Sequence, residues 1–305
     1  MPEITELQAK VNAPGIYFNI SNEDYHNDFS ISNSGMGNLL FTPKWGITMK
    51  TPQKYWWSSP FNPDREKLDT HALKVGRARH TLLLEPDKFH AEFKIKEGVQ
   101  NSKAAGFIGE GAYKEAVQAT NALRSSSFYK FFYGCKPEVS MFWVDEKTGV
   151  PCRIRMDAIS PYHAFDLKTT NNVYDLGYSF VDYGYYRQAA FYLRGIEIVK
   201  QLLRDRKAVV QGLSDSIADQ EWLEDFLKSV HKRFIFLFQE SKAPFVARAE
   251  ELDGKTMEFA NLRIDETLQA FKENYEDSGH EKWASGFEND VGMTTFDELP
   301  TKISY

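Results

Sequence analysis

The run from Val150 to Thr170 constrains this chain more than any other. Val150-Pro151-Cys152-Arg153-Ile154-Arg155-Met156-Asp157 alternates between apolar and polar residues. After Ala158-Ile159 and a loop through Pro161 comes Phe165-Asp166-Leu167-Lys168-Thr169-Thr170. Side chains alternate between faces along a strand, so Arg153, Arg155 and Asp157 share one face, and Asp166 and Lys168 share another. Pairing of the two strands would bring two carboxylates and one ammonium together. Two carboxylates form a hard, oxygen-rich site suited to Mg²⁺ or Mn²⁺. A lysine beside them can position or help deprotonate a water, or hold an anionic phosphate. Arg153 and Arg155 read either as ion-pair partners of these acids or as phosphate contacts.

The strands around this run complete a small sheet. Glu138 to Val144 is a strand, Asp145-Glu146-Lys147-Thr148-Gly149 a turn, and Val150 to Ala158 its hairpin partner. His163 to Thr169 is the third strand. A helix is predicted from about Val181 to Leu203, with Tyr185, Gln188 and Tyr192 on one side and Arg187 beside them. The apolar run Arg233 to Gln239 reads as a buried strand, with Ala243 to Ala249 as its neighbour.

Earlier in the chain, Gly15 to Phe18 reads as a short strand. Ser32-Asn33-Ser34 caps a helix carrying Met36, Leu39 and Leu40, which Pro43 stops. Thr48 to Pro63, with Tyr55, Trp56 and Trp57, reads as a packed loop or as a stacking surface for bases or sugars. His71 to Leu84 is a helix on which Gly76 and His80 lie one turn apart. The glycine there is expected to allow close approach of another element. His80 is a hydrogen-bonded core residue or a ligand. Lys103 to Phe132 reads as one long helix with Phe107, Ala112, Ala116, Ala119 and Leu123 inward. Gln211 to Gln220 reads as a loop, Glu221 to Val230 as a short helix, and Asn261 to Tyr275 as an amphipathic helix with Leu262, Leu268 and Phe271 inward. The whole is an α/β fold with one central mixed sheet flanked by helices.

Composition narrows the function classes. Of 305 residues, 42% are hydrophobic and 14% aromatic, enough for a sizeable core. No apolar run approaches the roughly 18 residues of a membrane helix, and the N-terminus lacks the pattern of a signal peptide. Cys135 and Cys152 are too few for a disulfide framework or a four-thiolate metal site, and read as reduced thiols of a cytoplasmic protein. The net charge of −6 is unevenly placed. From Glu250 to Tyr305 fourteen acidic residues face five basic ones, whereas residues 1 to 249 carry 29 acidic and 32 basic. The acid is concentrated near the C-terminus, so a basic groove for nucleic acid elsewhere is compatible with the balance.

Taken in order, Gly-x-x-x-His at Gly76 and His80, Glu138 on a strand, Asp157, Asp166-x-Lys168 and Gln188-x-x-x-Tyr192 resemble the PD-(D/E)XK nuclease superfamily. Within it the chain resembles the RecE-type exonucleases (exodeoxyribonuclease VIII) of phages and prophages. Tyr25-His26, Ile31 to Ser34, Gly76 to Pro86, Glu138 to Thr170 and Tyr185 to Tyr192 carry the likeness, over roughly residues 15 to 285. Met156 stands where proline often precedes the aspartate.

The resemblance implies a restriction-endonuclease-like core in a single nuclease domain over residues 1–305. Residues 1–70 would form a helical and loop extension, 71–250 the catalytic core, and 251–305 an acidic C-terminal helix and tail. It implies metal ligation by His80, Asp157, Asp166 and the Leu167 carbonyl, and a metal or water-mediated role for Glu138. Lys168 would be the catalytic lysine, with Gln188 and Tyr192 at the DNA end and Arg187 on a phosphate. Further implications are Mg²⁺, with Mn²⁺ as a substitute, and 5′→3′ degradation of linear double-stranded DNA to leave 3′ single strands for recombination in a bacterial host. A homo-oligomeric ring similar to that of lambda-type exonuclease and a RecT-like single-strand annealing partner are implied as well. The alternatives are an endonuclease, a non-catalytic DNA-binding or assembly protein on the same fold, or an iron–sulfur nuclease of the superfamily, for which two cysteines are too few.

Overall fold

Phe234, Ile235, Phe236, Leu237 and Phe238 are all buried, which requires a strand covered on both faces. The computed structural model, which describes residues 2–41, 49–66, 70–104 and 106–285, places that strand inside a seven-stranded sheet.

In chain order, helices α1 (Ile4–Gln8), α2 (Asn22–Asn27), α3 (Asn33–Leu39) and α4 (Pro52–Ser58) accompany strand β1 (Gly15–Tyr17) and a small sheet of β2 (Leu40–Phe41) and β3 (Met49–Lys50). Helices α5 (His71–Leu84) and α6 (Phe89–Glu92) precede a second small sheet, β4 (Lys94–Lys96) with β5 (Phe107–Gly109), and then α7 (Glu110–Arg124). There follow β6 (Lys136–Val144), β7 (Pro151–Ile159), β8 (His163–Thr170), α8 (Gly177–Asp182) and α9 (Tyr185–Arg204). The chain continues with β9 (Val209–Gln211), α10 (Ile217–Lys228), β10 (Arg233–Glu240), β11 (Ala247–Glu250) and α11 (Gly254–Ser278). The main sheet runs β11-β10-β8-β7-β6-β1-β9. It is mixed: β10 lies parallel to β8 and β9 to β1, while the other neighbours are antiparallel.

Helix α9 covers one face of this sheet. A Cβ at Gly195 would lie 2.5 Å from Trp143, so only glycine lets the helix settle this close to β6. On the opposite face Leu83 of α5 and Leu123 of α7 share a cluster with Leu167 of β8 and Leu237 of β10. β7 changes phase between these layers. Ile154 and Met156 belong to the core shared with α9, Ala158 to the cluster with Phe165 and Ile235, and Ile159 to the α9 core again. Two-residue alternation is therefore broken at Asp157. β7 and β8 pair at Ala158–Phe165 and Ile159–Ala164, and beyond that they splay.

Several sequence expectations need correction. Lys103 to Phe132 is not one helix: Phe107 belongs to β5, α7 ends at Arg124, and Ser126 caps a 3₁₀ turn over Ser127–Phe132. The helix expected from Val181 is divided by Gly184, which adopts φ +65°, the left-handed region that glycine enters without penalty. Nothing lies within 4 Å of a Cβ built at Gly76, so this glycine does not mark a close approach. Gln211 to Gln220 contains the end of β9 and the start of α10, whose N-cap Ser216 accepts from the Asp219 amide. On α11 the buried stripe is Ile264, Leu268, Phe271 and Tyr275, and Leu262, which is out of phase with it, is 64% exposed.

Pro52 to Ser58 is a helix rather than a loop, with proline at its start where its missing N–H costs nothing. Tyr55 stacks on Trp283 at 5.0 Å, and Trp56 Nε1 donates to the His280 carbonyl at 2.9 Å. Both are packing residues, while Trp57 is 59% exposed. Trp283, in the segment expected to be an acidic C-terminal helix and tail, is itself buried. The Ser32 cap forms as expected, accepting from Gly35 N at 3.3 Å, and Pro43 lies outside the described residues.

Candidate active site

The splay of β7 from β8 leaves the Leu167 amide without a backbone partner on that side, and a side chain takes it. Asp157 Oδ2 accepts from Leu167 N at 2.7 Å. Asp157 Oδ1 lies 3.4 Å from His80 Nδ1, and His80 Nε2 lies 3.0 Å from the Leu167 carbonyl. His80 comes from α5, on the sheet face opposite α9. It bridges the two strands where their ladder has parted. Burial opposes its protonation, but the carboxylates of Asp157, Glu138 and Asp166 outweigh this and raise its pKa to about 9. A doubly protonated ring would give one N–H to Asp157 and the other to the Leu167 carbonyl.

Glu138 lies across β6 from Asp157, between the paired positions Pro137–Ala158 and Val139–Met156. Its φ of +50° is a left-handed conformation at a non-glycine residue. Such strain costs about 1–3 kcal/mol and gathers at functional sites. Burial, with Asp157 nearby, raises the Glu138 carboxyl to about 7. Burial acts on Asp157 in the same direction, yet His80, Lys168 and the Leu167 N–H hold it below its ordinary value.

On the α9 side, Lys168 Nζ sits 2.6 Å from Asp166 Oδ2, and Gln188 Nε2 donates to Asp166 Oδ1. Burial raises the Asp166 pKa to about 6, with Lys168 opposing and Asp157 adding to the rise. Lys168 is held above its ordinary value by Asp166 and Asp157 despite its burial. The ring of Tyr185 covers the ammonium at 4.7 Å. Tyr192 follows Gln188 by one helical turn and is buried edge-on against Phe234 at 5.4 Å.

The ligand atoms of His80, Glu138 and Asp157 all lie within 4.8 Å of one another, close enough to share one cation. Asp166 Oδ2 is buried and meets the Lys168 ammonium at 2.6 Å. Two or three carboxylates with one imidazole form a donor set that a divalent ion such as Mg²⁺ or Mn²⁺ accepts. The residues present therefore fit such an ion.

The three arginines singled out in the sequence are engaged inside the protein. Arg153 Nη1 donates to the carbonyls of Asp28 and Ser30, and its guanidinium lies 3.7 Å from the Asp28 carboxylate. Arg155 Nε donates to Ser140 Oγ at 2.8 Å and stacks over Tyr25 at 4.2 Å. Arg187 is buried and donates to Asn33 Oδ1 and to its carbonyl, both at 3.1 Å. Arg153 and Arg155 thus tie β7 to the N-terminal segment, and ion pairs to Asp157 or Asp166 are not among their described contacts. Sequence reasoning gave no role to Tyr185, although its spacing from Gln188 and Tyr192 placed it on their side. The left-handed turn at Glu138 has no sequence signal, because glutamate does not announce it.

The fold is an α/β one whose central mixed sheet carries a PDDEXK-like domain. Residues 60–210 match the family model described as "PDDEXK-like domain of unknown function (DUF3799)", a span holding His80, Glu138, Asp157, Asp166, Lys168, Gln188 and Tyr192. The fold is also similar to a crystal structure described as "Putative exonuclease" from Eubacterium rectale, with a TM-score of 0.57 and 16% identity, covering 91% of this chain and 96% of that one. At that identity the likeness is one of fold. No curated protein matches this chain in sequence. Among the described residues no helix is long and apolar enough to cross a membrane.

Proposed function

We propose that this chain is a divalent-metal-dependent exonuclease acting on the ends of linear double-stranded DNA. The observation that carries the reading is the cluster of His80, Glu138 and Asp157 within 4.8 Å, set against the Lys168–Asp166–Gln188 chain. His80, Glu138, Asp157 and Asp166 would hold the ion, with the Leu167 carbonyl beside them. A bound Mg²⁺ or Mn²⁺ supplies charge neutralisation at the phosphodiester and lowers the pKa of a water. Lys168, kept protonated by two carboxylates, orients that water and offsets developing negative charge. Gln188 fixes Asp166 through one oxygen and leaves the other directed at Lys168. Glu138, whose carboxyl burial raises to about 7 in the metal-free protein, would give up that proton on binding the ion.

The finer reading follows the resemblance to RecE-type enzymes. It comprises a single nuclease domain, 5′→3′ polarity, 3′ single strands left for recombination, a ring that encircles DNA, a RecT-like annealing partner and action in the cytoplasm of a bacterial host. The description of the Eubacterium rectale structure as a "Putative exonuclease" is in keeping with that activity class.

The test is incubation with end-labelled linear duplex and with closed circular duplex in Mg²⁺, alongside Asp166→Ala and Lys168→Ala. Loss of linear DNA only, absent in both variants and in EDTA, supports the reading, and the fate of the label gives the polarity. Cutting of the circle makes the protein an endonuclease. Undiminished degradation by Asp166→Ala moves the chemistry elsewhere. Binding without cutting of either substrate leaves a non-catalytic DNA-binding protein.

A further inference from the structure

Between the end of β8 and the start of α9, four large apolar side chains stand in solvent within ten residues. Tyr174 is 76% exposed, Tyr178 64%, Val181 44% and Tyr183 66%. Solvent exposure of so much aromatic surface in one short segment calls for an occupant. The segment is firmly seated. Phe180 turns inward from α8 and packs edge-on against Phe236 at 5.5 Å and Tyr185 at 5.9 Å. Through Tyr183 the segment reaches the site. Tyr183 stacks on Tyr185 with ring centroids 5.5 Å apart and planes at 30°. Tyr185 covers Lys168 at 4.7 Å, and Lys168 meets Asp166 at 2.6 Å. Aromatic faces therefore lead from solvent to the ammonium at the centre of the proposed chemistry.

We infer that residues 174–185 form a stacking platform for unpaired bases of a DNA strand entering or leaving this site. The inference rests on the nuclease reading and adds a recognition element to it. Every base has a π-face that can lie on a tyrosine ring whatever its sequence. Bases inside a duplex are already stacked on one another, so the occupant has unpaired bases. The charges in the segment are Asp175 and Asp182, and it contains no lysine or arginine. With no cation of its own, the segment offers rings rather than phosphate contacts, which separates it from the salt-sensitive backbone contacts that dominate most DNA binding.

The test uses the full chain in EDTA, where the proposed cleavage is silent. Three DNAs are compared: a duplex with a short single-stranded overhang containing 2-aminopurine, the same duplex with an abasic overhang, and the blunt duplex. Wild type is expected to bind the base-bearing overhang more tightly than the other two, to quench its fluorescence, and to keep that preference as salt rises. The combined Tyr174→Ala, Tyr178→Ala and Tyr183→Ala variant is expected to lose about tenfold in affinity per stack removed, on that DNA alone. The corresponding three-fold Tyr→Phe variant should retain it. Equal binding of base-bearing and abasic overhangs by wild type overturns the platform, as does an equal loss on blunt DNA. So does an alanine variant with unchanged DNA binding but an altered sedimentation coefficient, which would make the patch a contact between copies of the chain. Cleavage in Mg²⁺ is measured separately: a wild type that prefers the overhang yet never cuts keeps the platform and loses the nuclease reading.

Discussion

Asp157 accepts the Leu167 amide at 2.7 Å where the β7–β8 ladder has parted, so one carboxylate both closes the gap in the sheet and faces His80. The structural role and the proposed ligand role can be separated by experiment. Asp157→Asn keeps the shape but loses the charge that a cation needs. In wild type, Mn²⁺ at a hundredfold excess over its dissociation constant is expected to stabilise the fold by about 2.7 kcal/mol. Asp157→Asn should show little of that gain and no Mg²⁺-dependent cleavage. A thermal melt with and without Mn²⁺ decides it, and an undiminished metal-induced shift in the variant would remove Asp157 from the ligand set.

Stability should fall as pH rises in the metal-free protein. The His80 pKa of about 9 lies above the ordinary 6.5, so the folded state binds the proton more tightly than the unfolded state does. The resulting stabilisation is complete below about pH 6.5 and is lost by about pH 9. Glu138, at about 7 against 4.5, and Asp166, at about 6 against 3.8, act in the same direction at lower pH. Metal binding requires all of these groups without their protons, so Mn²⁺ should flatten or reverse the trend. Urea unfolding of wild type and His80→Gln at pH 6.5 and 9 measures the His80 share. It is of the order of 3 kcal/mol by linkage, before allowance for solvent at this partly open site. Identical pH slopes in the two proteins would count against the His80–Asp157 contact.

Covering Lys168 should matter more than the Tyr185 hydroxyl. The ring lies 4.7 Å from the ammonium, and burial by an aromatic face is worth about 0.5–2 kcal/mol to a cation. Tyr185→Phe keeps that face and should cleave at close to the wild-type rate. Tyr185→Ala lets water reach Lys168 and should slow cleavage by roughly three- to thirtyfold. Single-turnover rates on linear duplex distinguish the two, and equal slowing in both variants would assign the effect to the hydroxyl instead.

Much of this was legible in the sequence because it follows period and punctuation. The hairpin β6–β7, the strand β8 and the buried strand β10 come from alternation and an unbroken apolar run. The cap at Ser32 comes from side-chain chemistry. What escaped was the breaking of those periods. Phase slips at Asp157, so the shared face predicted for Arg153, Arg155 and Asp157 does not hold through the site. The two arginines were free to be read as partners of the acids because nothing in their spacing reveals that Asp28, Ser30 and Ser140 reach them first. Gly184 was visible as a residue but not as a helix break, since glycine inside a helical pattern is often tolerated. At the site β7 and β8 exchange ladder hydrogen bonds for side-chain ones, which alternation alone does not reveal.

Gly195 tests the packing that holds α9, and with it Gln188, against the sheet. A Cβ there would sit 2.5 Å from the Trp143 ring and 3.1 Å from Ile154 Cδ1. Trp143 is buried and already packs on Phe191 at 5.0 Å, so the ring has little room to retreat. Glycine to alanine in an exposed helix would gain about 1 kcal/mol from backbone entropy. Here overpacking should reverse the sign, and Gly195→Ala is expected to destabilise by about 1–3 kcal/mol in urea unfolding. Because Gln188 lies two turns before Gly195 on the same face of α9, the same variant should weaken cleavage through displacement of the Gln188–Asp166 bond. A joint Gly195→Ala, Trp143→Leu variant removes the clashing atoms and should recover part of both losses. Stabilisation by Gly195→Ala alone would mean that α9 sits farther from β6 than the Trp143 contact requires.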